Sequence, residues 1–184
     1  SVGCVLVSAG QVIATATTAD TGRPHAETIA MKSAGAHAKG ATAYVSLEPC
    51  AHTGKTGPCA QALIDAGVAR VVYAAVDPDP RVSGKGAAML RVAGIETLHI
   101  EVAEAGNLIR GFTRRVTHAL PYVAMKLATS SDNYMAYVGG KPKWITSEAS
   151  RQHAHGLRGR SDAVLTGIGT VLADDPQLTC RIAG

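Results

Sequence analysis

The run Val68–Val76 carries a single charged residue, Arg70, among valines, alanines and a tyrosine. A strand so apolar has no wet face, and strands buried on both faces belong to sheets covered by helices. The segments around it agree. Val2–Val7 and Val12–Ala16 alternate about a turn at Ala9-Gly10 and read as a hairpin. Ala26–Ala38 has Ile29, Met31 and Ala34 at helical spacing and is ended by Gly40. Ala43–Leu47 reads as a short strand, and Cys59–Ala66 as a helix entered through Pro58 and left at Gly67. Asp77-Pro78-Asp79-Pro80 must turn, Gly86–Ala93 is a helix stopped by Gly94, and Ile95–Ile100 is a further strand. The order β-β-α-β-α-β-α-β predicts a three-layer α/β domain with a mixed sheet.

A polar helix is expected near Glu101–Arg110. Arg114-Arg115, followed by Pro121, then marks a restart, so one domain is expected over residues 1–115 and a second over 116–184. In the second, Tyr122–Leu127 reads as a strand, Ser147–Leu157 as a helix opening at a serine, and Asp162–Thr166 as another strand. Gly167-Ile168-Gly169-Thr170 then turns into a short helix before Asp174-Asp175-Pro176. Roughly 65 residues are too few to close a sheet and core of their own, so this second domain is expected to be incomplete. The chain also opens in mid-strand at Ser1-Val2-Gly3-Cys4 without a methionine, the expectation for a processed or truncated piece.

Charge and composition narrow the function. The 184 residues hold 18 Lys and Arg against 14 Asp and Glu, with no basic tail or stripe to track a phosphate backbone. One tryptophan and one phenylalanine make no base-stacking platform. Nucleic acid is therefore not an expected partner. No apolar run approaches the roughly 18 residues that span a membrane, and nothing resembles a signal peptide. Cys4, Cys50, Cys59 and Cys180 sit in a chain with an ordinary core, so they read as thiols of a cytoplasmic protein, buried or free for metal.

His25-Ala26-Glu27 at a helix start, with Pro49-Cys50 and Pro58-Cys59, is the strongest chemical signal. A catalytic zinc takes three nitrogen or sulfur ligands and leaves the fourth position to water, whose proton it loosens near neutral pH. His25, Cys50 and Cys59 supply that set. Glu27, two residues from a ligand, is placed to shuttle protons as in zinc-dependent nucleobase deaminases. A purely structural zinc would want a fourth protein ligand, for which His52 is the nearby candidate.

Cytidine and transfer-RNA adenosine deaminases place two residues between the cysteines. Here Ala51-His52-Thr53-Gly54-Lys55-Thr56-Gly57-Pro58 intervenes, a loop whose imidazole and ammonium suit an anionic substrate. With this loop, the stretches Leu47-Glu48-Pro49-Cys50, Asp77–Gly86, Lys126–Asp132, Trp144–Ser147 and Thr170–Thr179 resemble the bifunctional riboflavin-biosynthesis deaminase/reductase family.

The resemblance covers essentially the whole chain. It implies a cytidine-deaminase-like domain that removes an amino group from a diaminopyrimidinone ribosylamine phosphate, followed by part of a dihydrofolate-reductase-like α/β domain that uses NADPH. Zinc would fall to His25, Cys50 and Cys59, and proton transfer to Glu27. His52, Lys55, Asp77 and Asp79 would line the deaminase substrate pocket. Ala128, Trp144, Thr170 and Asp174 match cofactor-contacting positions of the reductase, and Pro142, Arg158, Leu178 and Arg181 substrate-contacting ones. The partner implied is a small phosphorylated pyrimidine, and a homo-oligomer is compatible with the chain. Asp79 departs from the asparagine usual in the family, and Thr18 from a usual histidine. Two other functions are weighed: a cytidine- or transfer-RNA-type deaminase, against which the eight-residue gap argues, and a non-catalytic module stabilised by zinc.

Overall fold

A computed structural model describes residues 1–53, 57–135 and 144–182. The chain divides into two compact units, Ser1–Tyr122 and Val123–Gly184.

The first unit opens with a hairpin, β1 (Gly3–Ser8) and β2 (Gln11–Thr17), paired antiparallel. Its turn puts Ala9 at φ 48° and Gly10 at φ 76°, the two left-handed residues of the turn type that matches strand twist. Helix α1 (Ala26–Ala34) follows, then β3 (Thr42–Val45), α2 (Cys59–Asp65), β4 (Arg70–Tyr73), α3 (Lys85–Val92) and β5 (Glu96–His99). This is the order expected from the sequence. The five strands form one mixed sheet in the order β2-β1-β3-β4-β5. β1 is antiparallel to both its neighbours, whereas β3, β4 and β5 run parallel. Each parallel pair is joined through a helix, as parallel strands require. Val71, Val72 and Tyr73 are buried in succession, which confirms that β4 has no wet face.

The interior is built largely from alanine. Ala14 and Ala16 of β2 lie buried beside Ala26, Ala30 and Ala34 of α1, with Ala43 of β3 and Ala60 of α2 in the same cluster. Leu6, Leu63, Val71 and Leu90 supply the bulk between them. Side chains this small let α1 lie close against β1 and β2.

Three expectations change. α1 ends at Ala34 rather than Ala38, because Gly35 takes a left-handed φ of 54° and the chain continues as a 3-10 turn through Ala38. Helix α4 (Ala103–His118) runs straight through Arg114-Arg115, since arginine is a good helix former, and stops at a left-handed Ala119. Beyond α4, Tyr122–Leu127 and Asp162–Thr166 are not strands. A strand exists only where another accepts its backbone groups, and neither segment has such a partner among the described residues. The helices of the second unit are as expected: α5 (Glu148–Gly159), whose N-cap Ser147 accepts a bond from the Ser150 amide at 3.2 Å, and α6 (Ile168–Asp174). No helix among the described residues is long and apolar enough to cross a membrane.

Candidate metal centre

Three separate segments of the first unit deliver the expected ligands. His25 is the N-cap of α1, in extended backbone at φ −71° and ψ 158°. Cys59 is the first residue of α2, entered through Pro58. Cys50 lies in the loop after β3, at the carboxyl edge of the parallel strands, where open α/β sheets bind their ligands.

The structure brings them together. His25 Nδ1 is 3.3 Å from Cys59 Sγ and 3.7 Å from Cys50 Sγ, and one ligand atom from each of the three residues lies within 4.8 Å of the others. Metal bonds of about 2.0 Å to nitrogen and 2.3 Å to sulfur put tetrahedral ligands about 3.5 to 3.8 Å apart, so the spacing fits zinc. The electrostatics fit as well. A hydrogen bond from Cys59 and the neighbouring His25 draw the Cys50 thiol well below the usual thiol range, and the Cys59 amide also donates to its sulfur at 3.3 Å. The Cys59 thiol is pushed up by its hydrogen bond to Cys50 and by burial. His25 is raised chiefly by its bond to Cys50. One imidazole nitrogen and two sulfurs gathered at this spacing are a donor set that a dication binds with release of the thiol protons.

Glu27 stands beside this triad, 3% exposed, and burial raises its carboxyl above the usual range. Its Oε2 has no hydrogen-bond partner among the described residues. A buried oxygen left open next to a ligand set is the expected state of a group that bonds something the protein itself does not supply. Cys4, also buried, stays outside the triad, and burial, with Glu27 adding to it, pushes its thiol up to about 12. Cys180 is exposed in the second unit and donates to the His155 carbonyl at 3.3 Å.

Of the expected substrate residues, Asp77 and Asp79 are buried in the loop between β4 and α3, and His52 is exposed. Asp77 Oδ1 accepts from the Asp79 amide at 2.8 Å. The Arg81 guanidinium bonds both oxygens of Asp79, at 2.9 and 3.0 Å through Nε, and holds that carboxyl down to about 2, with His52 contributing in the same sense. Asp77 is raised by burial. Lys55 and Pro142 lie outside the described residues.

In the second unit, Arg158 and Leu178 are half-buried, and Arg158 Nη1 donates to the Thr179 carbonyl at 3.3 Å. Arg181 Nη1 reaches Thr179 Oγ1 at 3.3 Å, so both guanidinium groups meet the same residue. Ala128 is half-buried, Thr170 and Asp174 are exposed, and Trp144 is exposed with Arg151 lying 4.6 Å over its ring. No hydrogen bond joins these four to one another among the described residues.

Two residues of the centre had no role from sequence. Glu48 is 2% exposed, and its carboxylate accepts three backbone amides. Gly86, at the start of α3, leaves no room for a side chain, because a Cβ there would lie 1.8 Å from the Pro49 carbonyl oxygen. The only available signal was their position inside the stretches that carry the family resemblance.

Residues 1–75 match the cytidine and deoxycytidylate deaminase zinc-binding region. Together with the mixed sheet and the ligand triad, this makes the first unit a cytidine-deaminase-like domain. Residues 121–184 match the RibD C-terminal domain. The chain is similar to RibD proteins across their deaminase region and the start of their C-terminal domain. It is 48% identical over 182 residues to riboflavin biosynthesis protein RibD of Escherichia coli K12, which covers 98% of this chain and 50% of that protein. It is 44% identical over 185 residues to RibD of Mycobacterium tuberculosis, 99% of this chain and 54% of the relative.

Among solved structures, it is similar to a diaminohydroxyphosphoribosylaminopyrimidine deaminase/5-amino-6-(5-phosphoribosylamino)uracil reductase from Thermotoga maritima. The identity is 42% and the TM-score 0.90, over 98% of this chain and 52% of that one. Acinetobacter baumannii RibD is 48% identical with a TM-score of 0.87, over 98% and 51% of the two chains. The chain thus spans about half the length of the relatives it matches.

Proposed function

We propose that the first unit deaminates 2,5-diamino-6-(5-phosphoribosylamino)pyrimidin-4-one hydrolytically, with zinc, in riboflavin biosynthesis. The observation that carries this is the buried Glu27 carboxylate, open at Oε2, next to a three-ligand nitrogen and sulfur set. His25, Cys50 and Cys59 would hold the metal, which when bound supplies the Lewis acidity that makes water a nucleophile near neutral pH. Glu27 takes a proton from the attacking water, passes it to the ring nitrogen and assists the departure of ammonia. A carboxyl raised by burial suits an acid–base group that must change state near neutrality. In this reading His52, Lys55, Asp77 and Asp79 are the residues that contact the substrate. The four free cysteines support a cytoplasmic location.

The distinguishing experiment is ammonia release by the full-length protein from the diaminopyrimidinone phosphate and from free cytidine. Turnover of the first alone is expected, and efficient turnover of cytidine would overturn the reading. The metal assignment has its own expected result. The wild-type protein should carry one zinc per chain by metal analysis, and Cys50→Ala should not. Stoichiometric zinc in that variant would dismiss Cys50 as a ligand.

The second unit is, in this reading, the first part of a reductase that uses NADPH on the ribosyl chain of the deaminated product. Ala128, Trp144, Thr170 and Asp174 belong to its cofactor side, and Pro142, Arg158, Leu178 and Arg181 to its substrate side. The meeting of Arg158 and Arg181 at Thr179 supports a shared anion site, for which forked guanidinium donors are suited. In the full-length protein, replacing either arginine by alanine should raise the reductase KM more than it lowers kcat. Unchanged kinetics in both variants would make them surface charges.

A further inference from the structure

We propose that Glu48 is a positioning residue: its buried carboxylate ties the first half and the end of the β4–α3 loop to the corner that carries zinc ligand Cys50. The inference rests on the reading that this loop supplies substrate contacts through Asp77 and Asp79.

Glu48 lies two residues before Cys50, and its own amide donates to the Ala75 carbonyl at 2.8 Å. Oε2 accepts from the Asp77 amide at 3.4 Å and from the Gly84 amide at 3.0 Å. Oε1 accepts from the Ala87 amide at 3.1 Å. Asp77 is the fourth residue of the loop, which leaves β4 after Tyr73, whereas Gly84 is the N-cap of α3 and Ala87 lies in its first turn. One side chain therefore fastens the first half and the end of the same loop. The next residue completes the joint, because the Pro49 carbonyl sits where a side chain of Gly86 would be. Inside the loop thus clamped, Asp77 accepts the Asp79 amide and Asp79 grips Arg81, so the orientation of both aspartates follows from the frame that Glu48 holds.

The chemistry requires a carboxylate. All the bonds drawn to Glu48 come from N–H donors, and an ionised carboxylate is acceptor-only. A glutamine of the same size turns an NH2 group toward at least one of those amides and leaves a buried donor without an acceptor. Among the described residues no lysine or arginine pairs with Glu48, and the donors its carboxyl oxygens meet are backbone amides, two of them at the start of α3. A helix cap alone could be made locally by the serine, threonine, asparagine or aspartate usual at such positions. Here the cap comes from the segment leading to a metal ligand.

The test uses the full-length, zinc-loaded protein with Glu48→Gln, read by metal analysis, backbone amide exchange and deaminase kinetics. Zinc content should stay at one per chain. Exchange should rise by about tenfold or more at residues 77–87, while the amides of β1 and β2 keep their protection. KM for the phosphorylated substrate should rise by about tenfold or more, with a smaller fall in kcat. Unchanged exchange at residues 77–87, or an equal rise throughout the first unit, would overturn the proposal. So would loss of zinc, or unchanged kinetics with a loosened loop. Should Glu48→Gln fail to fold, Glu48→Asp keeps the acceptor-only group one methylene shorter and should give the same local exchange pattern at smaller amplitude. A wild-type protein without activity on the diaminopyrimidinone phosphate would remove the functional reading, while the exchange result would still decide whether Glu48 holds the loop.

Discussion

A full-length Glu27→Gln protein is expected to keep its fold, its zinc and its NADPH-dependent reduction, while deamination falls by at least about a hundredfold. Glutamine preserves the size of the side chain and some of its hydrogen bonding, but it cannot carry a proton. In the structure the affected atom is defined: Oε2 is buried and unpartnered among the described residues, beside the triad of His25, Cys50 and Cys59. General acid–base assistance is typically worth about 10² to 10⁴ in rate, and in the proposed mechanism one carboxyl serves more than one proton movement. Metal analysis and reductase activity on the same preparation separate a chemical loss from misfolding. Deamination near the wild-type rate would remove Glu27 from the mechanism.

The second large effect is expected from Gly86→Ala. In an ordinary helix this exchange stabilises by about 1 kcal/mol, because alanine is the better helix former. At Gly86 the added Cβ would meet the Pro49 carbonyl oxygen at 1.8 Å and its carbon at 3.0 Å. Both are backbone, so no flexible side chain can yield, and α3 or the corner bearing Cys50 must move. A loss of about 3 kcal/mol or more is expected, together with weaker zinc retention. Gly106, inside α4, has nothing within 4 Å of the same added atom. Gly106→Ala should therefore leave stability unchanged or slightly raised. Thermal unfolding of the two variants side by side checks the contrast, and a Gly86→Ala protein as stable as wild type would refute the close approach.

What the sequence shows clearly is governed by local chemistry. Ala9-Gly10 and Gly94 punctuate the first unit, so its eight elements from β1 to β5 could be read in order. The ligands were legible because few residue types bind zinc, and His25, Cys50 and Cys59 have those types. What was missed depends on partners far along the chain. Glu48 meets amides 29, 36 and 39 residues away, which no window of sequence displays. The same holds for Tyr122–Leu127 and Asp162–Thr166, whose apolar composition suggests strands but cannot provide the neighbour a strand needs. Arg114-Arg115 marks no helix end for a different reason: arginines on a solvated helix face are ordinary, and α4 continues through them to His118.

The alanine interior gives the first unit an uneven response to mutation. Where Ala26, Ala30, Ala43 and Ala60 meet with almost no exposed surface, truncation has little left to remove, so cavity-forming changes are confined to positions such as Leu6, Leu63 and Leu90. Enlargement is another matter. A single added methyl or isopropyl group on α1 must push the helix from the sheet, at a cost of about 1–3 kcal/mol. Because α1 begins immediately after His25, such a push would also shift a ligand. Random drift in this chain should therefore eliminate gains of volume at the helix–sheet contact more strictly than losses. Variants that accumulate there should exchange alanine for glycine or serine sooner than for valine.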